Sequence, residues 1–111
     1  MSCIFCKIAA KEVKSSVVGE TERFIVIKDI NPQAPTHLLI MPKEHFSSLV
    51  ECNDGSLLGG MLETAKAVAK DLGVDERGFR LIINTKEEGG QTVFHLHMHL
   101  LAGRALAGKM G

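Results

Sequence analysis

The chain has 111 residues, 45% of them apolar and 23% charged, an ordinary globular composition that excludes a disordered chain and leaves room for one core. Thirteen basic residues balance thirteen acidic ones with no basic run, so nucleic-acid binding through bulk charge is not expected. No apolar stretch is long enough to cross a bilayer, Met1-Ser2-Cys3 opens no export signal, and three cysteines make no disulfide framework. The expectation is one cytoplasmic domain over residues 1–111, without membrane partners, with a core from about residue 4 to 104 and a small, glycine-rich tail over 105–111.

Ser2 is placed to cap a short helix over residues 4–10, whose apolar residues recur at helical spacing. Val17-Val18 reads as a brief strand, and Phe24-Ile25-Val26-Ile27 as a second that ends near Asp29. Asn31-Pro32-Gln33-Ala34-Pro35 must turn, since neither proline can donate to a ladder, and Leu38-Leu39-Ile40-Met41 follows as a third strand closed by Pro42. Asn53-Asp54 caps a long helix whose apolar stripe is Leu57, Leu58, Met61, Leu62, Ala65, Val68, Ala69 and Leu72, and Gly73 stops it. Phe79 to Ile83 is a fourth strand and Val93 to Leu101 a fifth, joined by a charged, glycine-containing connection from Thr85 to Gln91. Three strands, a helix and two strands make an α+β domain with the helix over one sheet face.

The unusual chemistry lies in the last strand. Side chains alternate across a strand, so Phe94, Leu96, Met98 and Leu100 are expected in the core, with His95, His97 and His99 on the other face. Three of the five histidines fall within five residues, which core packing explains poorly. Such a row reads either as a metal site or as a nucleophile or general base flanked by groups that orient it. Just upstream, Gly89-Gly90-Gln91-Thr92 combines glycines, which let backbone N–H groups approach an anion, with an amide and a hydroxyl.

The motif His95-x-His97-x-His99-Leu100-Leu101 after Gly89-Gly90-Gln91-Thr92-Val93, with Asp29-Ile30-Asn31-Pro32-Gln33-Ala34-Pro35-Thr36-His37 and Pro42-Lys43-Glu44-His45, closely resembles the histidine triad (HIT) family. The resemblance is to its Hint branch of nucleotide-binding phosphoramidases and runs from about Ile4 to Arg104. It implies an antiparallel five-stranded sheet in a homodimer, with a purine nucleotide as substrate and no organic cofactor. By that resemblance His97 attacks the phosphorus of a purine nucleoside phosphoramidate or aminoacyl-adenylate, and water then releases AMP. His99, His95, His37 and Thr92 assist, Thr92 by helping to protonate the leaving amine. Asp29 receives the ribose hydroxyls, while Ile4, Phe5, Ile8, Ile27, Ile30 and Leu39 form the base pocket. Asn84, Gly90, Gln91, Thr92, Val93, His97 and His99 line the phosphate.

Three departures from the family pattern stand out. Thr92 replaces the frequent serine, Phe94 the frequent tyrosine, and the tail carries no tryptophan. Cys3-x-x-Cys6 has metal-ligand spacing, and zinc's preference for four ligands, together with the set some bacterial relatives use, implies structural zinc on Cys3, Cys6, His45 and His95. That ion would pin the N-terminal helix to the sheet and leave His97 free. Cys52 has no partner in view. The competing readings are a dinucleoside polyphosphate hydrolase and a non-enzymatic nucleotide- or zinc-binding module.

Overall fold

In the structure, a computed structural model that describes residues 3–108, alternation along the central strands sends apolar side chains to both faces of one sheet. Helix α1 spans Ile4–Ala9, β1 Val17–Glu20, β2 Phe24–Lys28 and β3 Thr36–Pro42. A single 3-10 turn at Leu49–Glu51 precedes helix α2, Gly55–Asp71, and the chain closes the sheet with β4, Arg80–Ile82, and β5, Met98–Ala102. The strands lie in the order β1-β2-β3-β5-β4, and each pairs antiparallel with its neighbours. This is the expected α+β architecture of five antiparallel strands, one long helix and one short one. Among the described residues no helix is long and apolar enough to cross a membrane.

One face carries Phe24, Val26, Leu38, Ile40, Met98 and Leu100 and packs against Leu57, Met61, Ala65, Val68 and Ala69 of α2. The other carries Ile25, Ile27, Leu39 and Met41 and packs against Phe5 and Ile8 of α1. Asp54 caps α2 by accepting from the Leu57 N–H, as the sequence suggests. Ser2 lies outside the described residues; Cys3 occupies the cap of α1, its sulfur 3.4 Å from the Cys6 N–H.

Two expectations need correction. Leu62 and Leu72 do not join the buried stripe and are 49% and 46% exposed. Leu62 follows Met61 and so points about 100° away from the line that faces the sheet, while Leu72 is the C-cap, at the end of the packed surface. The fifth strand is also shorter than its apolar alternation suggests, since the ladder begins only at Met98, which pairs with Ile40. Continuing the register would set Leu96 opposite Pro42, which has no N–H to offer. Residues 93–97 therefore leave the sheet, and the Leu96 N–H donates to the Phe46 carbonyl instead. Phe94, expected in the core, lies on this departing segment and is 57% exposed, whereas Leu96 stays buried.

Candidate active site

The two face patterns place α1 and the histidine segment on the same side of the sheet. A cavity of about 1040 Å³ opens between them. One transverse row of the sheet crosses its floor, because His99 pairs with Leu39, Leu39 with Ile27, and Ile27 with Val17. Expected residues on its walls are Ile4, Phe5, Ile8, Ile27, Ile30 and Leu39, with Asp29, His37, Thr92, Val93, His97 and His99 among the polar and upstream groups. Ile30 lies at the rim, 90% exposed. Asn84, Gly90 and Gln91 are not on the walls. Asn84 follows Ile82, the partner of His99, by two residues, which carries it toward His97 along the strand direction.

The histidines are assigned protonation states by their partners. The Pro42 carbonyl lies 2.8 Å from His95 Nε2, and a carbonyl only accepts, so Nε2 carries the proton and Nδ1 keeps its lone pair. His97 is the reverse: its Nδ1 donates to the His95 carbonyl at 2.7 Å, which leaves the Nε2 lone pair free. His37 Nδ1 accepts from the Gln33 N–H, so its Nε2–H is the donor to His99 Nδ1 at 2.9 Å. His99 therefore carries its proton on Nε2, and that buried atom has no protein partner. Asp29 Oδ2 stands 3.3 Å from His37 Nε2, while Oδ1 accepts from the Asn31 N–H. Asp29 thus caps the turn after β2 while it also lies on the cavity wall.

Burial favours the neutral imidazole. It pushes His97 below the ordinary histidine value and His37 likewise, although Asp29 opposes both shifts. His99 falls to about 4 because burial is reinforced by His97 and His37. A neutral ring with one nitrogen committed and the other free is a nucleophile at neutral pH. Phe5 stands edge-on to His97, ring centroids 5.1 Å apart, and fixes its plane from the α1 side.

Cys3, Cys6, His45 and His95 converge beside this row, their ligand atoms all within 4.8 Å of one another. Cys3 Sγ and Cys6 Sγ lie 3.3 and 3.5 Å from His95 Nδ1, and His45 Nδ1 lies 3.4 Å from Cys6 Sγ and 3.2 Å from His95 Nδ1. A tetrahedral zinc with bonds of about 2.3 Å to sulfur and about 2.0–2.1 Å to nitrogen separates its ligand atoms by about 3.3–3.8 Å. The donor types and the spacing both fit such an ion. Asp29, His37 and His99 form a second cluster, but the hydrogen bond between its two rings commits His99 Nδ1 and His37 Nε2 to each other.

The connection after β4 is held by Gln91, which is buried. Its Oε1 accepts from the Lys86 N–H, and its Nε2 donates to the Ser47 and Val93 carbonyls. Gly89 lets the loop close tightly, since a Cβ there would sit 2.3 Å from the Thr85 carbonyl oxygen. Sequence reasoning did not single out Val13, Lys14, Ser15, Ser16, Lys28 or Gln33, all of which line the cavity. Their signal is faint because a Lys-Ser-Ser run ahead of a strand looks like any solvated turn.

Comparison with known proteins agrees with this arrangement. The model of the HIT domain matches residues 10–106. Protein HitA of Neisseria gonorrhoeae is 48% identical over 102 residues, which cover 90% of this chain and 94% of HitA. A 14 kDa zinc-binding protein of Zea mays is 45% identical, over 93% of this chain and 83% of its own length. Among solved structures, a HIT family hydrolase from Legionella pneumophila superposes with a TM-score of 0.96 at 45% identity, covering 99% of this chain and all of that one. A histidine triad nucleotide-binding protein from Candida albicans superposes at 0.85 and 31% identity, covering 99% and 85% of the two chains. With its histidine segment, its sheet order and these relatives in agreement, the chain belongs to the HIT domain family.

Proposed function

We propose that this HIT protein is a Hint-type hydrolase of purine nucleoside 5′-phosphoramidates or aminoacyl-adenylates that works through a nucleotidyl-histidine intermediate on His97. The observation that carries the reading is the state of His97, a buried ring whose Nδ1–H is spent on the His95 carbonyl and whose Nε2 is free. Attack forms the Nε2–P bond, and the His95 carbonyl stabilises the positive charge that develops on the ring. With a phosphoramidate the P–N bond breaks as that nitrogen takes a proton from the Thr92 hydroxyl, which water replenishes; with an aminoacyl-adenylate the P–O bond breaks and the carboxylate leaves with its electron pair. Water then adds at phosphorus, the Nε2–P bond breaks, and AMP leaves with His97 restored. The unpartnered His99 Nε2–H supplies a donor for a phosphoryl oxygen, and Asp29 an acceptor for the ribose diol.

Zinc on Cys3, Cys6, His45 and His95 would fasten α1, whose Ile4, Phe5 and Ile8 form one cavity wall, and supplies no step of the reaction. The zinc-binding relative from Zea mays supports this assignment. A cytoplasmic homodimer completes the reading, and light scattering at about twice the 12.0 kDa chain mass checks it.

The test is turnover of an adenosine phosphoramidate by wild type and His97→Ala, with intact-mass detection of adenylylated protein. Wild type should turn over and His97→Ala should lose about 10³-fold or more, with no adduct and AMP still bound. Cleavage of dinucleoside polyphosphates alone would move the substrate class. Equal inertness of both proteins toward every nucleotide substrate would leave only a binding module.

A further inference from the structure

The cavity extends beyond the groups so far given roles. Counted along the transverse row, Leu39, Ile27 and Val17 lie one, two and three strands from His99, so Val17 stands about 14 Å from it at about 4.8 Å per strand. The segment Lys14-Ser15-Ser16 runs directly into that far end, where the Ser16 carbonyl accepts from the Lys28 N–H, and all three residues line the cavity. A nucleotide whose phosphorus lies at His97, whose ribose meets Asp29 and whose base covers Leu39 and Ile27 would turn the outer edge of its base toward this segment.

The hydrogen-bonding capacity there is unspent. Lys11 and Lys43 are both paired with Glu20, and Lys86 with Glu51, whereas among the described residues Lys14 and Lys28, the two lysines on the cavity walls, meet no carboxylate; of the two, Lys14 belongs to the Lys14-Ser15-Ser16 segment. The Ser15 and Ser16 hydroxyls are likewise engaged by no other protein group among the hydrogen bonds of the described residues. Among the described residues Asp29 is the one carboxylate on the cavity walls, and it belongs to the ribose position. This end is therefore furnished mainly with donors.

We infer that Lys14, with Ser15 and Ser16, reads the six-position edge of the purine and makes the site prefer a 6-oxo base, guanine or hypoxanthine, over adenine. An ammonium group only donates. It finds two adjacent acceptors, O6 and N7, on a 6-oxopurine, but on adenine only N7, beside an N6 amino group whose protons repel it. The serine hydroxyls, which both donate and accept, are suited to the N1–H of the same edge. With no carboxylate at this end, the 2-amino group of guanine finds no acceptor, so IMP and GMP should behave alike. The inference rests on the nucleotide reading proposed above and adds the class of base.

Calorimetric binding of AMP, IMP and GMP to the intact protein tests it. Wild type should bind IMP and GMP about 3- to 10-fold more tightly than AMP, the effect of one charge-assisted but partly hydrated hydrogen bond. Lys14→Met, which keeps the apolar stem, should bring the three within about twofold of one another, and Lys14→Arg should retain the preference. Equal affinities in wild type, or a preference that survives Lys14→Met, would overturn the inference while the nucleotide reading stands. Failure of all three nucleotides to bind would remove both.

Discussion

His95 and His97 are two residues apart, buried, and similar in surroundings, yet they are prepared for different chemistry. His95 gives its Nε2–H to the Pro42 carbonyl and turns Nδ1 toward two thiols and His45. His97 gives its Nδ1–H to the His95 carbonyl and presents Nε2 to the cavity. The residue type is the same, but the nitrogen taken by a backbone carbonyl decides whether the ring turns its lone pair to the cluster of Cys3, Cys6 and His45 or to the cavity. The two arrangements also share an atom path, because the residue whose side chain faces Cys3, Cys6 and His45 lends its carbonyl to hold the His97 ring.

The largest expected effect separates the two histidines by stability. His95→Ala should cost about 3–5 kcal/mol in urea unfolding and abolish zinc retention by elemental analysis, because a fully buried ring, its bond to Pro42 and a ligand go together. His97→Ala, beside the open cavity, should cost less than half as much while removing turnover. Equal losses would erase the distinction.

Gln91→Ala comes next, at about 2–4 kcal/mol, because the Lys86 N–H and two carbonyls lose a buried partner. Turnover should fall more than AMP affinity, since the anchored loop leads straight into Thr92.

Acid should act on the histidine row in a defined direction. His99 binds its proton at about 4 when folded, against 6.5 when unfolded, so the unfolded chain takes up more protons between those values. Stability is then lost as pH falls from 6.5, reaching roughly 3 kcal/mol by pH 4 from this ring alone. His37 and His97 act in the same sense. Urea unfolding with a chelator present, at pH 7, 5.5 and 4.5, checks this without acid release of metal. A flat profile would contradict the neutral state assigned to the row.

The smallest effect tests the corrected strand. Phe94→Ser should change stability by less than about 0.5 kcal/mol, whereas Leu96→Ala should cost about 2–5 kcal/mol.

Local periodicity made much of the fold legible. The α2 stripe, its Asp54 cap and the alternating β2 and β3 runs each depend on residues close in sequence. The convergence of Cys3, Cys6, His45 and His95 was also readable, because Cys-x-x-Cys spacing is local and the family resemblance supplied the two distant histidines. Features that depend on what lies opposite were not. Nothing near Phe94 says that Leu96 would face a proline, and nothing near Gln91 says that Ser47 offers a carbonyl 44 residues away. Lys14 was missed for the same reason, since its place at the end of a row that begins at His99 appears only when four strands are laid side by side.

Pro42 has a consequence beyond ending a strand. Its ring omits the proton that would let the sheet grow, and its carbonyl accepts the His95 proton, so one residue both closes the ladder and starts the site. The frontier between scaffold and chemistry is thus drawn by a missing donor rather than by a loop. Any residue with an N–H at that position would invite the sheet to recruit Leu96 and its neighbours, trading a reactive segment for a longer and inert edge of hydrogen bonds.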